Sequence, residues 1–119
     1  MNKVNVEEKF SLFDDHWNPR IVGELNGQLV KLVKFKGEFV WHKHDFEDEM
    51  FYVVKGKFIM ELRDKKIELQ EGEFLVVPKG TEHRPVAIEE VAVMLFEPAT
   101  TLNTGDANSN LARHELERI

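Results

Sequence analysis

Gly37-Glu-Phe39-Val40-Trp41-His42-Lys43-His44-Asp-Phe-Glu-Asp-Glu49 is the stretch on which the reading of this 119-residue chain turns. Two histidines stand two positions apart just ahead of a carboxylate. On a strand, successive side chains take opposite faces, so Val40, His42 and His44 point one way while Phe39 and Trp41 point the other. Glu49-Met-Phe-Tyr-Val-Val54 then reads as a further strand running toward Gly56. Downstream, Gly72-Glu-Phe-Leu-Val-Val-Pro78-Lys-Gly80-Thr-Glu-His83 has Gly-Glu and Pro-Lys-Gly flanking a short apolar run, the pattern of turn, strand, turn. His83 opens the strand after it. If these strands are antiparallel neighbours in a closed sheet, His83 faces the same interior as the histidine pair.

Three imidazoles and a carboxylate make a donor set suited to one divalent first-row ion, and iron, manganese, zinc, nickel, cobalt and copper all remain open. With no cysteine in the chain, a thiolate site is excluded. The expected ligands are His42, His44, Glu49 and His83. Any one of these histidines taken singly reads as an ordinary hydrogen-bonded strand residue; the spacing of the set is what points to a metal. Among the neighbouring acids, Asp45, Glu47 and Asp48 read as a solvated acidic loop, and Glu49, which starts an apolar strand, is the expected carboxylate ligand.

These two stretches resemble the paired motifs of the cupin family. The first motif is matched at Gly37, His42, His44, Glu49 and Gly56, with four residues between Gly37 and His42 where the family has five. The second is matched at Gly72, Pro78, Gly80 and His83, with Ala87 where the family often has asparagine. Both departures fall outside the ligand positions. Within the family, the chain is most similar to small single-domain bacterial cupins described as mannose-6-phosphate isomerase-like, in which a stretch like Glu97-Pro-Ala-Thr-Thr-Leu-Asn-Thr-Gly-Asp106 follows the last barrel strand. The resemblance implies an all-β fold, a double-stranded β-helix or jelly-roll barrel, with a small-molecule ligand or substrate near the metal and a homodimeric assembly.

The rest of the chain is consistent with one such domain spanning 1–119. Hydrophobic residues at 42% and charged residues at 32% are globular proportions, and the length suits a single core. A formal net charge of -6 argues against nucleic acid or an anionic membrane as partner, since both call for a basic face. No apolar run reaches membrane-spanning length, and the polar, acidic N-terminal residues do not read as a signal peptide, so a cytoplasmic location is expected.

Asn5 with Glu8 resembles a capping box, and Val6, Phe10 and Phe13 fall at helical spacing, so a short helix is expected over about 5–14, ended by Trp17-Asn-Pro19. Asn26-Gly27 between two apolar runs is the strongest hairpin signal. Alternation at Phe58, Met60 and Leu62, the Asp64-Lys65 turn, and runs around Phe74 to Val77, His83 to Val86 and Val91 to Glu97 complete about eight short strands over about 20–98, which implies a sandwich or barrel. Leu111, Ala112, Leu116 and Ile119 suggest a C-terminal helix over about 109–119.

Strand parity places Phe51 and Val53 on the interior with Glu49, and Phe58, Met60 and Leu62 at the far end of the same cavity. It leaves Phe39 and Trp41 outside, where an apolar pair calls for cover by a second copy of the chain or by a terminal helix. Lys43, Tyr52 and Arg84 are out of phase with the interior, and His16 and His114 lie in terminal segments; all five read as structural or solvated. Two functions stay open: a metal-dependent isomerase, lyase or dioxygenase, and a module that holds a metal or small ligand without turnover. No second acid-base residue is evident inside the pocket.

Overall fold

The computed structural model describes residues 1–119. Its elements in order are α1 (Val6–Phe10), β1 (Arg20–Leu25), β2 (Gln28–Glu38), β3 (Glu49–Lys55), β4 (Lys57–Leu62), β5 (Lys66–Gln70), β6 (Phe74–Val77) and β7 (His83–Pro98). All strand pairings are antiparallel, as expected of an all-β jelly roll.

The β1–β2 hairpin forms at Asn26-Gly27, where both residues take positive φ (50° and 77°), the backbone of a tight turn whose twist matches the strands it joins. β2 then pairs along most of its length with β7. The two runs expected around His83 and Val91 are one continuous strand of 16 residues. Its first part pairs with β4, from Ile59↔Val86 to Leu62↔His83, and its later part with β3, from Met50↔Phe96 to Lys55↔Ala92. β7 is therefore the spine that carries His83 at one end and the partner of the Glu49 strand at the other. β6 pairs only with β3 and forms a sheet edge.

Two apolar layers result. Inside, Val33, Phe35, Phe51, Val53, Phe58, Met60, Leu69, Val77, Val91, Val93 and Leu95 form the main core. Phe58 and Met60 are part of this packing, and each full burial contributes about 1.5–3 kcal/mol. Outside, α1 lies against β2, and Phe10 and Phe13 cover Leu32, Ala92 and Met94. The helix is capped as expected, with the Glu8 amide donating to Asn5 Oδ1 at 2.9 Å, but it spans five residues, short of position 14.

Two expectations are corrected here. Residues 109–119 form no helix: the backbone around 111–113 is held by the Asn103 side chain, whose Nδ2 donates to the Leu111 carbonyl while its Oδ1 accepts from the Arg113 amide. The chain then runs extended beside β1, with the Ile21 amide donating to Glu117 O and the Ile119 amide to Ile21 O. Sheet-edge pairing and a side-chain staple take the hydrogen bonds a helix would have used. Phe39 is likewise not on an outer face. β2 ends at Glu38 after a register shift beyond Phe35 and a positive φ at Gly37, so the alternation does not continue through Phe39 to His44. Phe39 turns inward and stacks on Trp17 at 4.7 Å. Trp41 is covered by cations of its own chain, with the Arg63 and Arg84 guanidinium groups 3.9 and 5.3 Å from its ring centre. The apolar pair on which a dimer face was expected therefore does not exist.

Candidate metal centre

His42 sits outside the named strands, yet it is fixed to the start of β7 by a short antiparallel bridge: its amide donates to His83 O and the His83 amide to His42 O, at 3.1 and 2.9 Å. His44 follows on a segment tied by the Gly80 amide to His44 O at 2.7 Å. The Pro-Lys-Gly turn thus links the two histidine clusters directly. Glu49 opens β3 opposite Val77. All four side chains are buried. Their donor atoms lie within 4.8 Å of one another.

The second ring nitrogens fix the orientation of two of these histidines. His42 Nδ1 lies 2.9 Å from Val40 O and His83 Nδ1 2.8 Å from Thr81 O, contacts that place the proton on Nδ1 and leave Nε2 with a free lone pair. His44 Nε2 and His83 Nε2 approach Glu49 Oε1 at 3.3 and 3.5 Å, and all three atoms are buried with no hydrogen-bond partner. Such unsatisfied atoms are costly in a dry interior. Around an ion with bonds of about 2.0–2.2 Å, ligands at right angles stand about 3 Å apart, so the donor set and its spacing fit a divalent cation. The remaining acids are engaged elsewhere: Asp45 pairs with Lys43, Glu47 accepts from Thr100 Oγ1, and Asp48 accepts from the Lys79 amide.

Burial, reinforced by the nearby His83, lowers the His42 pKa to about 4. Burial acts to raise Glu49, but the close approach of the His44 and His83 rings outweighs it and holds the carboxyl well below its ordinary value. The His42 lone pair and the Glu49 carboxylate are therefore available to a cation at neutral pH.

A cavity of about 330 Å³, its opening to solvent included, abuts the cluster, with His42 and Glu49 in its wall. The other lining residues are Trp17, Pro19, Val33, Phe35, Phe39, Phe51, Pro85, Leu95 and Asn103. Phe51 lines it as expected; Val53, Phe58, Met60 and Leu62 pack behind it as core. A cupin model matches residues 29–98, more than half of the sequence. The chain belongs to the cupin domain family. A cupin-2 domain protein from Shewanella frigidimarina superposes with a TM-score of 0.79 at 50% identity, covering 80% of this chain and 93% of that one. An uncharacterized Bacillus subtilis protein, YdbB, is 39% identical over 80 residues, 66% of this chain and 65% of its own length. The pectin degradation protein KdgF of Dickeya dadantii is 34% identical over 59 residues, 48% of this chain and 54% of that protein.

Three features of this cupin's site escaped the sequence reading. Trp17, read only as a helix terminator, is a wall of the cavity. It is stacked on both Phe35 and Phe39 and held at a φ of 60° by its amide on Lys34 O and its Nε1 on Lys36 O. That conformation costs a bulky residue on the order of 1–3 kcal/mol. Lys31 and Glu97 form a buried ion pair at 2.9 Å. Burial and then the charge of Glu49 push the Glu97 carboxyl well above its usual range, against the opposing pull of Lys31. Alternation could have flagged both, since Lys31 is in phase with Val33 and Phe35, and Glu97 with Val93 and Leu95. Third, residues 101–106 press on the histidine segment: Lys43 N donates to Asp106 Oδ1, and Asp106 N donates to Lys43 O.

Lys43, Tyr52, Arg84, His16 and His114 all lie outside the cluster. Arg84 bonds Glu61 and Glu38, His16 faces Glu90 at 3.4 Å, and His114 is exposed. No helix is long and apolar enough to cross a membrane.

Proposed function

We propose that this cupin holds one divalent metal ion through His42, His44, Glu49 and His83 and presents it to a small organic molecule in the adjoining cavity. The observation that carries the reading is the convergence of His44 Nε2, His83 Nε2 and Glu49 Oε1, three buried atoms with no other partner. A bound divalent ion would supply Lewis acidity, or a site for dioxygen if redox-active. The chain's own part is to fix the ring orientations through Val40 O and Thr81 O, to keep bulk water away with the aromatic wall, and to leave His42 and Glu49 facing the cavity. Isomerase, lyase and dioxygenase chemistry all fall within this frame.

A second reading, ligand capture without turnover, is favoured by one observation: apart from the proposed ligands, no lining residue is an acid or base. Glu97 is the one further buried carboxyl at the cluster, and it does not line the cavity.

Protein purified without chelator should carry close to one divalent metal per chain by elemental analysis, and a His42→Ala, His83→Ala double variant should carry none. Metal-free wild-type protein that also fails to take up iron, manganese, cobalt, nickel, copper or zinc on dialysis would overturn the reading. Oxygen consumption and turnover of keto acids, diketones and sugar phosphates by each reconstituted form separate enzyme from module.

A further inference from the structure

We infer that the cavity selects a small ligand with an apolar body and a single anionic or oxygen-bearing head, and excludes phosphorylated, polyhydroxylated and doubly charged molecules. This rests on the metal-binding reading, because the head is the part the ion would hold.

The argument is one of charge and hydrogen-bonding capacity. None of the eleven lining residues is Lys, Arg, Ser, Thr or Tyr. Asn103 is the one polar side chain besides His42 and Glu49, and its amide is already engaged at both ends, by Leu111 O and the Arg113 amide. The cations near the site are committed as well: Lys31 to Glu97 at 2.9 Å, Lys43 to Asp45 at 3.3 Å and Arg84 to Glu61 at 2.6 Å. A phosphate or second carboxylate placed here would lose its hydration with no protein donor to replace it. A sugar would leave its hydroxyls equally unmatched.

Shape narrows the class further. The space reaches about 330 Å³ only with its mouth to open solvent counted, so the enclosed part admits no more than a small body. Its walls cannot readily yield. Trp17 is clamped between Phe35 and Phe39 at centroid distances of 4.5 and 4.7 Å, with its indole nitrogen tied to Lys36 O. Phe39 in turn sets its ring edge-on to His42 at 5.4 Å, so the apolar wall begins at a proposed ligand. A molecule whose head reaches the ion must lay its body against this wall.

The test uses the full chain loaded with cobalt(II), with cobalt content measured first. Acetate, benzoate and succinate share a carboxylate head and differ in body, and mannose 6-phosphate adds the polyol phosphate case; binding is followed by the cobalt visible spectrum and by calorimetry. Benzoate should bind roughly ten-fold or more tighter than acetate, from the apolar area its ring buries. Succinate should gain nothing over acetate, and mannose 6-phosphate should bind more weakly than benzoate. Phe39→Leu should reduce the benzoate preference over acetate several-fold. Cobalt uptake with benzoate no tighter than acetate, or with succinate or the sugar phosphate tighter than benzoate, overturns the selectivity and leaves the metal site standing. No cobalt uptake overturns both.

Discussion

A methyl group added at Gly105 would fall against the Lys43 carbonyl oxygen, with the His42 ring 3.0 Å away, and φ there is already positive at 54°. The obstacle is backbone, so it cannot swing aside. Gly105→Ala should cost roughly 1–3 kcal/mol in thermal or denaturant unfolding and weaken metal uptake, because the shift is transmitted to His42 and His44 through the Lys43–Asp106 pair. Unchanged metal affinity in a destabilised Gly105→Ala protein would show that the tail does not position the histidines. His42 itself makes the pH dependence predictable. Its folded pKa, about 4, is below the ordinary 6.5, so between those values the unfolded chain binds more protons and stability falls as pH falls. Metal-free protein should lose up to about 3 kcal/mol between pH 6.5 and 4 from this group. His42→Phe in the chelator-treated protein should flatten that part of the urea-unfolding profile.

At the scale of elements, what could be read in advance follows how local its cause is. The Asn26-Gly27 hairpin and the Asn5 cap are set by a few adjacent residues, and both form where the sequence places them. The four clustered side chains were legible for a related reason: two motifs of fixed spacing deliver them. The route was different, however, since His42 and His44 meet through a bridge to His83 and a tie to Gly80, with no regular strand beneath them. The C-terminal segment was misread because helical spacing of Leu111, Leu116 and Ile119 cannot reveal that Asn103 and the β1 edge claim its backbone groups. Trp17 and the Lys31–Glu97 pair depend on partners far apart in sequence, which local pattern does not report. The Asn103 staple can be tested as a unit. Asn103→Ala removes two hydrogen bonds, so we expect a loss of about 1–3 kcal/mol, with faster hydrogen exchange at the Arg113 and Ile119 amides and unchanged protection in β2 and β7. Equal protection at Arg113 in both proteins would mean that the tail is held by its apolar contacts alone.

Across the whole molecule, the outer face of the sheet is covered only in part. α1 shields Leu32, Ala92 and Met94, but the same face continues through Phe96, Met50 and Tyr52 to Phe74 and Val76 on β6, which are 62% and 51% exposed. Phe74 pairs with Tyr52 and Val76 with Met50, so these side chains form one apolar row. β6 is also an unpaired edge, with main-chain groups free on one side. We propose that a second copy meets this face about a two-fold axis, because an edge strand set antiparallel to itself is self-complementary and the apolar rows then coincide. This moves the expected dimer from Phe39 and Trp41 to β6. Light scattering on the eluting protein should give about twice the 13.9 kDa chain mass, and Phe74→Glu with Val76→Lys should reduce it to one chain without loss of bound metal, since neither residue touches the cluster. A Trp41→Glu variant should leave the mass unchanged, its neighbours being Arg63 and Arg84 of the same chain. A wild-type protein of single-chain mass at high micromolar concentration would remove the interface, and a dimer that survives both β6 changes would place it elsewhere.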